Sequence, residues 1–157
     1  MINSAGVSRG VLLLAAAVAV FSARPYAGGW HDGSRLATVE ALVDYRTWAI
    51  DESIFVLPQR AGSGLPYPTN QPALLARGTQ DKLLIGGHYF SDKSPVPALF
   101  MAGAYQVLQW MTGLVAREQP ARFCYLLTLF SSGLAYVIAV WCIDRLAIVW
   151  ERRPDCC

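Results

Sequence analysis

The sequence predicts a mainly α-helical membrane protein, with about three transmembrane helices and a large external loop that holds an amphipathic helix and a β-hairpin. Three observations lead there. Of the 157 residues, 54% are hydrophobic and only 15% charged, and the mean hydropathy of +0.34 is high for a soluble domain of this size. Apolar runs lie near the N-terminus and twice in the C-terminal half, and a long polar stretch rich in Pro and Gly separates the first run from the second. The predicted division is a first transmembrane helix or signal anchor over 1–23, an external loop domain over 24–95, a transmembrane helical hairpin over 96–150, and a tail over 151–157.

Val11–Ala23 is apolar throughout and follows Arg9, but it is shorter than the roughly twenty residues that a helix needs to cross the hydrocarbon core. Two readings compete for it. A cleaved signal peptide needs small residues one and three positions before the cut; Ala17 and Ala19 fit but lie inside the apolar run, while Phe21 and Pro25 spoil later candidates. We therefore read an uncleaved helix, extended back through Gly6 and Val7.

After Arg24-Pro25, Asp32 or Ser34 is placed to cap a helix whose Leu36, Val39, Leu42 and Val43 share one face, with Arg35, Thr38 and Asp44 opposite. Such a helix lies along a bilayer surface or packs on a core. Its start puts His31 and Asp32 at a helix N-terminus, where the dipole favours anions. From Asp51 to Gln80 the density of Pro and Gly predicts an irregular loop with one short strand near Ile54–Leu57. Loops of this length are usually functional or mobile.

Lys82–Ile85 and His88–Ser91 flank Gly86-Gly87, and a two-residue Gly-Gly loop supplies the positive φ that primed hairpin turns require. The hairpin delivers Asp92 and Lys93 to Pro95 and Pro97, which suit the first turn of a helix. Val96–Val115 is then apolar enough to span a bilayer, provided that Gln106 and Gln109 face protein. Arg117, Glu118 and Arg122 make a short polar connection, and Phe123–Ile143 is the clearest spanning segment, with room to continue to Trp150.

The net charge of +2 comes from interspersed signs, which excludes a nucleic-acid-binding stripe. Cys124 and Cys142 lie on one predicted helix about 27 Å apart, too far for a disulfide. Cys156 and Cys157 lack the spacing of a zinc site. Trp30, Trp48, Trp110 and Trp141 read as interface anchors or packing residues. No nucleotide loop, nucleophile elbow or zinc motif occurs; no cofactor is indicated, and a divalent metal is neither required nor excluded. Counting Arg and Lys puts Arg9, Arg117 and Arg122 on one side and the larger set Arg24, Lys93, Arg145, Arg152 and Arg153 on the other.

The order of a first membrane helix, His31-Asp32-Gly33-Ser34-Arg35 leading into Ala37–Val43, and Gly87-His88-Tyr89-Phe90-Ser91-Asp92-Lys93-Ser94-Pro95 opening the next apolar run resembles a known pattern. It is similar to the N-terminal part of polyprenyl-phosphate-sugar-dependent (GT-C) membrane glycosyltransferases, which include protein O-mannosyltransferases and aminoarabinose lipid A transferases. The resemblance covers most of this chain but only the start of such an enzyme. It implies a catalytic Asp32 beside the acceptor and a Lys93 that faces the phosphate of the lipid-linked sugar donor, with Arg35, His88 and Tyr89 as further substrate-binding candidates. It also implies a bacterial inner membrane with the 24–95 loop external, and more membrane helices, from another chain if need be, to complete the site. Where the family often has two acidic residues this chain has His31-Asp32, and where it often has two adjacent prolines it has Ser94-Pro95.

Each residue also has a plainer reading. Asp32 serves equally as a helix cap, Lys93 as a lysine that extends its ammonium to the interface, and His88 as an ordinary hairpin residue. The competing function is a small non-catalytic membrane protein whose external loop binds a partner.

Overall fold

The computed structural model describes residues 4–151 and is mainly helical, with one two-stranded sheet. The cysteines and arginines read in the tail, Arg152, Arg153, Cys156 and Cys157, lie outside the described residues. The chain divides into two compact units, one formed by 1–23 with 128–157 and the other by 24–127.

In the first unit, α1 (Ser4–Ser22) packs against a π-helical turn (Leu129–Gly133) and α6 (Leu134–Glu151). Small residues make the approach possible. Ala15 and Ala19, one turn apart, are buried, and a Cβ added at Gly133 would stand 3.5 Å from the Ala19 methyl. Ser8 donates to Asp144 at 2.8 Å, so the acidic residue in an apolar helix has a partner. The helix that contains α6 begins at Pro120. Over Pro120–Ala147 it has a mean hydropathy of 2.0, and it is the one helix among the described residues long and apolar enough to cross a membrane. Only 11% of its most apolar window is buried, whereas the core helix of a soluble protein would be mostly covered. The apolar part of α1, Ser8–Ser22, is shorter than a span.

The second unit is built around α2 (Trp30–Asp44). The sequence predicts an amphipathic helix here, yet Gly33, Ser34 and every residue from Leu36 to Ala41 are buried. This decides for the core alternative: α2 is wrapped by its own unit. The predicted cap shifts as well. Gly29 is the N-cap, Asp32 lies in the first turn and accepts the Gly28 N–H at 3.2 Å, and Ser34 is buried inside the helix.

Facing α2 is α4 (Pro95–Thr112), which lays Ala98, Ala102 and Tyr105 on it at helical spacing. Its other side keeps Val96, Phe100, Val107, Trp110 and Met111 exposed. Gln109 turns inward as expected and donates to Asp44 at 2.9 Å. Beyond the left-handed Gly113 that ends α4, the chain reaches α5 (Pro120–Thr128). The core is closed by aromatic contacts of Phe55 with Tyr67 and of Phe123 with both Phe55 and Tyr105.

The long loop contributes Ile50, Ile54, Phe55 and Tyr67 to that core. The strand expected at Ile54–Leu57 is absent, and the segment is a turn that runs into a 3-10 turn (Pro58–Arg60). Its cause is Glu40, whose buried carboxylate accepts the Ser53 hydroxyl at 2.6 Å and the Ile54 N–H at 3.0 Å, while the Val56 and Leu57 amides fold back on the Ser53 carbonyl. Those donors are thus unavailable to a ladder. A short α3 (Pro72–Arg77) follows, with Pro72 in its first turn. The hairpin agrees with the sequence in its register: β1 (Lys82–Ile85) pairs with β2 (His88–Ser91), Ile85 opposite His88, across Gly86 and Gly87 at φ 60 and 88°.

Candidate functional site

Sequence-distant motifs meet on one side of α2. Ser34 donates to the Asp81 carbonyl at 2.5 Å and shares a hydrogen bond with the Ser91 hydroxyl at 2.6 Å, which ties the helix to the base of the hairpin. The Asp81 carboxylate then pairs with His31 on one flank and with Lys93 at 3.0 Å on the other. Asp81 therefore joins the His31–Arg35 motif to the Ser91–Pro95 motif. Sequence reasoning gave it no role, and only its place just before the first strand hinted at one.

Burial alone would raise the Asp81 carboxyl. The adjacent Lys93 ammonium and the charge of His31 outweigh it and hold the carboxyl below its usual range. Reciprocally, Asp81 and then Asp92, 3.1 Å away, raise the Lys93 ammonium above its ordinary value. Lys93 is thus a cation held in place by two carboxylates.

Arg35 and Lys93 line one cavity of about 180 Å³, together with Thr38, Trp48, Phe90 and Ser94. Arg35 is exposed and makes no ion pair among the described residues. It is the more available of the two cations for an incoming anion. Trp48, which the sequence offers as an interface anchor or a packing residue, forms part of this wall with Phe90. A guanidinium and an ammonium beside two aromatic faces suit a phosphate that carries an apolar or ring-shaped group.

The other candidates stand elsewhere. Asp32 is exposed in the first turn of α2, outside the cavity lining. His88 pairs with Asp51 at 3.0 Å, and the same carboxylate accepts the Tyr89 N–H at 2.9 Å while the Tyr89 carbonyl accepts the Ile50 N–H at 2.8 Å. Both residues anchor the hairpin to the loop. No family model, curated protein or solved structure matches this chain.

A second polar cluster lies inside the unit. Burial, opposed by the Ser53 and Ile54 hydrogen bonds, pushes the Glu40 carboxyl up to about 7. One turn on, burial also raises Asp44, against the hydrogen bonds from Tyr105 and Gln109. The Tyr105 hydroxyl donates to Asp44 at 2.9 Å and accepts the Ala116 N–H at 2.8 Å. This cluster ties α2 to α4 and to the turn before α5, with Glu40 fully buried and Asp44 half-buried. Among the described residues no group of three or more His, Cys, Asp or Glu is arranged to hold a metal.

Proposed function

We propose that this chain is an integral membrane protein that acts as the N-terminal part of a glycosyltransferase, and that the Arg35–Lys93 cavity binds the phosphate of a polyprenyl-phosphate-sugar donor. The observation that carries the reading is the convergence of those two cations, 58 positions apart in sequence, on one aromatic-walled cavity at the start of α4. The apolar stripe of α4 supports the membrane part: one face packs on α2 while the opposite face stays apolar and exposed along the helix. An alternation of that kind suits a helix between protein and lipid.

In this reading Arg35 makes the principal phosphate contact, and Lys93, positioned by Asp81 and Asp92, completes it. Asp32 is the general base that takes the proton of an acceptor hydroxyl while the sugar leaves its phosphate. The loop 24–95 faces the outside of a bacterial inner membrane and 117–122 the cytoplasm. Helices of a further chain or segment complete the enclosure.

Native mass spectrometry of the chain in lipid nanodiscs, with a polyprenyl-phosphate hexose or pentose added, tests the binding step. Arg35→Gln is expected to weaken donor retention by about 10- to 100-fold, since a charge-assisted hydrogen bond is worth roughly 1.5–3 kcal/mol. Lys93→Met, whose charge is already compensated, should weaken it less. Equal retention by the wild type and by the double variant would overturn the assignment.

A further inference from the structure

The tip of the β1–β2 hairpin carries an apolar cluster that the donor site does not use. Leu83, Leu84 and Ile85 are 51, 64 and 59% exposed. Successive strand residues point to opposite faces, so Leu83 and Ile85 present apolar surface on one side and Leu84 on the other. A protein partner that docked on one face would leave the second in water, whereas immersion covers both.

At the base of this tip, the Lys82 ammonium lies 4.7 Å from the centre of the Tyr89 ring. That pairing of a cation with an aromatic suits the headgroup layer. Ile85 stands three residues beyond Lys82, about 10 Å along the strand at roughly 3.3 Å per residue, which matches the 5–10 Å that interfacial elements reach into the headgroup and acyl boundary. The Tyr89 N–H and carbonyl are bonded to Asp51 and Ile50, so β2 brings satisfied backbone to the membrane at that point.

We infer that Leu83, Leu84 and Ile85 insert into the lipid bilayer interface, where the hairpin acts as a shallow anchor that holds the adjacent Phe90 and Lys93 at headgroup depth. The inference rests on the membrane part of the reading above and not on sugar transfer.

The full chain, its four native cysteines replaced by alanine, is labelled with an environment-sensitive fluorophore at Leu84→Cys, or separately at Ile85→Cys, and reconstituted into phosphatidylcholine–phosphatidylglycerol vesicles. Gln59→Cys, at an exposed position of the 3-10 turn, is the wet control. Blue-shifted emission at both tip positions is expected, quenched more by lipids that carry a nitroxide near the headgroup than by lipids that carry it deep in the chain. Emission like that of the control overturns the inference and leaves the membrane reading standing. A blue shift without nitroxide quenching means that a protein surface covers the tip, and overturns it too. Failure of the chain to float with vesicles overturns both.

Discussion

Asp32 makes one hydrogen bond that a structural role explains, to the Gly28 N–H ahead of α2. Asparagine keeps an oxygen for that bond, so Asp32→Asn should cost well under the ~1 kcal/mol of a lost cap. In a complete enzyme, or in a complex that restores activity, a general base predicts instead a 10²- to 10⁴-fold fall in turnover with folding intact. Turnover within a factor of three of wild type at equal expression would return Asp32 to a helix-starting role. The sequence marked Arg35 and Lys93 because each stands in a motif, and both line one cavity. It was silent on Asp81, Asp51 and Glu40, since their partners are remote: the Asp81 carboxylate pairs with His31 at the start of α2, and Asp51 accepts the Tyr89 N–H across 38 positions. No local pattern encodes a carboxylate's choice among such donors.

Elements set by local chemistry were legible, and elements set by tertiary partners were not. The hairpin depends on two adjacent glycines at positive φ and was read in its register. The turn at Ile54–Leu57 depends on Glu40, thirteen and fourteen residues earlier, and its apolar composition suggested a strand. The burial of α2 was left open between a bilayer surface and a core, because Arg35, Thr38 and Asp44 read as a polar face until the partners of Thr38 and Asp44 are seen. Two glycines separate conformational cost from steric cost. Gly86 has φ 60° and open space around a built Cβ, so Gly86→Ala should cost only the roughly 1–2 kcal/mol of a left-handed residue. Gly78 has φ 65°, and a Cβ there would stand 2.4 Å from the Val56 carbonyl oxygen. Gly78→Ala should therefore be clearly more destabilising than Gly86→Ala, and chemical unfolding in mild detergent compares them. Equal losses would mean that the Val56–Gly78 contact yields freely.

At the scale of the whole molecule, buried and paired carboxylates pull stability in opposite directions with pH. The Glu40 carboxyl titrates at about 7 in the folded chain against 4.5 unfolded. Between those values the folded state binds the extra proton, so stability falls as pH rises through the window and levels off above it. With Glu40 fully buried, the difference is about 3 kcal/mol at ~1.4 kcal/mol per unit. Asp44, raised in the same sense, adds to the fall. Asp51 and Asp81 act oppositely. Burial would raise each, but the Tyr89 amide and His88 hold Asp51 low, and Lys93 and His31 hold Asp81 low. Their contribution is present above the ordinary aspartate value of 3.8 and is lost as pH drops through their folded values. The chain should thus be most stable near the gap between 3.8 and 4.5 and weaken toward pH 8. Thermal unfolding followed by tryptophan fluorescence in mild detergent, from pH 4 to 8, checks the profile. Glu40→Gln can keep an acceptor for Ser53 and Ile54 but cannot ionise, so it should flatten most of the decline between pH 5 and 8. Stability that rises over that range in the wild type, or a decline that persists unchanged in Glu40→Gln, would show that the charge of Glu40 is accommodated in the core and that its role is confined to holding the Ser53–Leu57 turn.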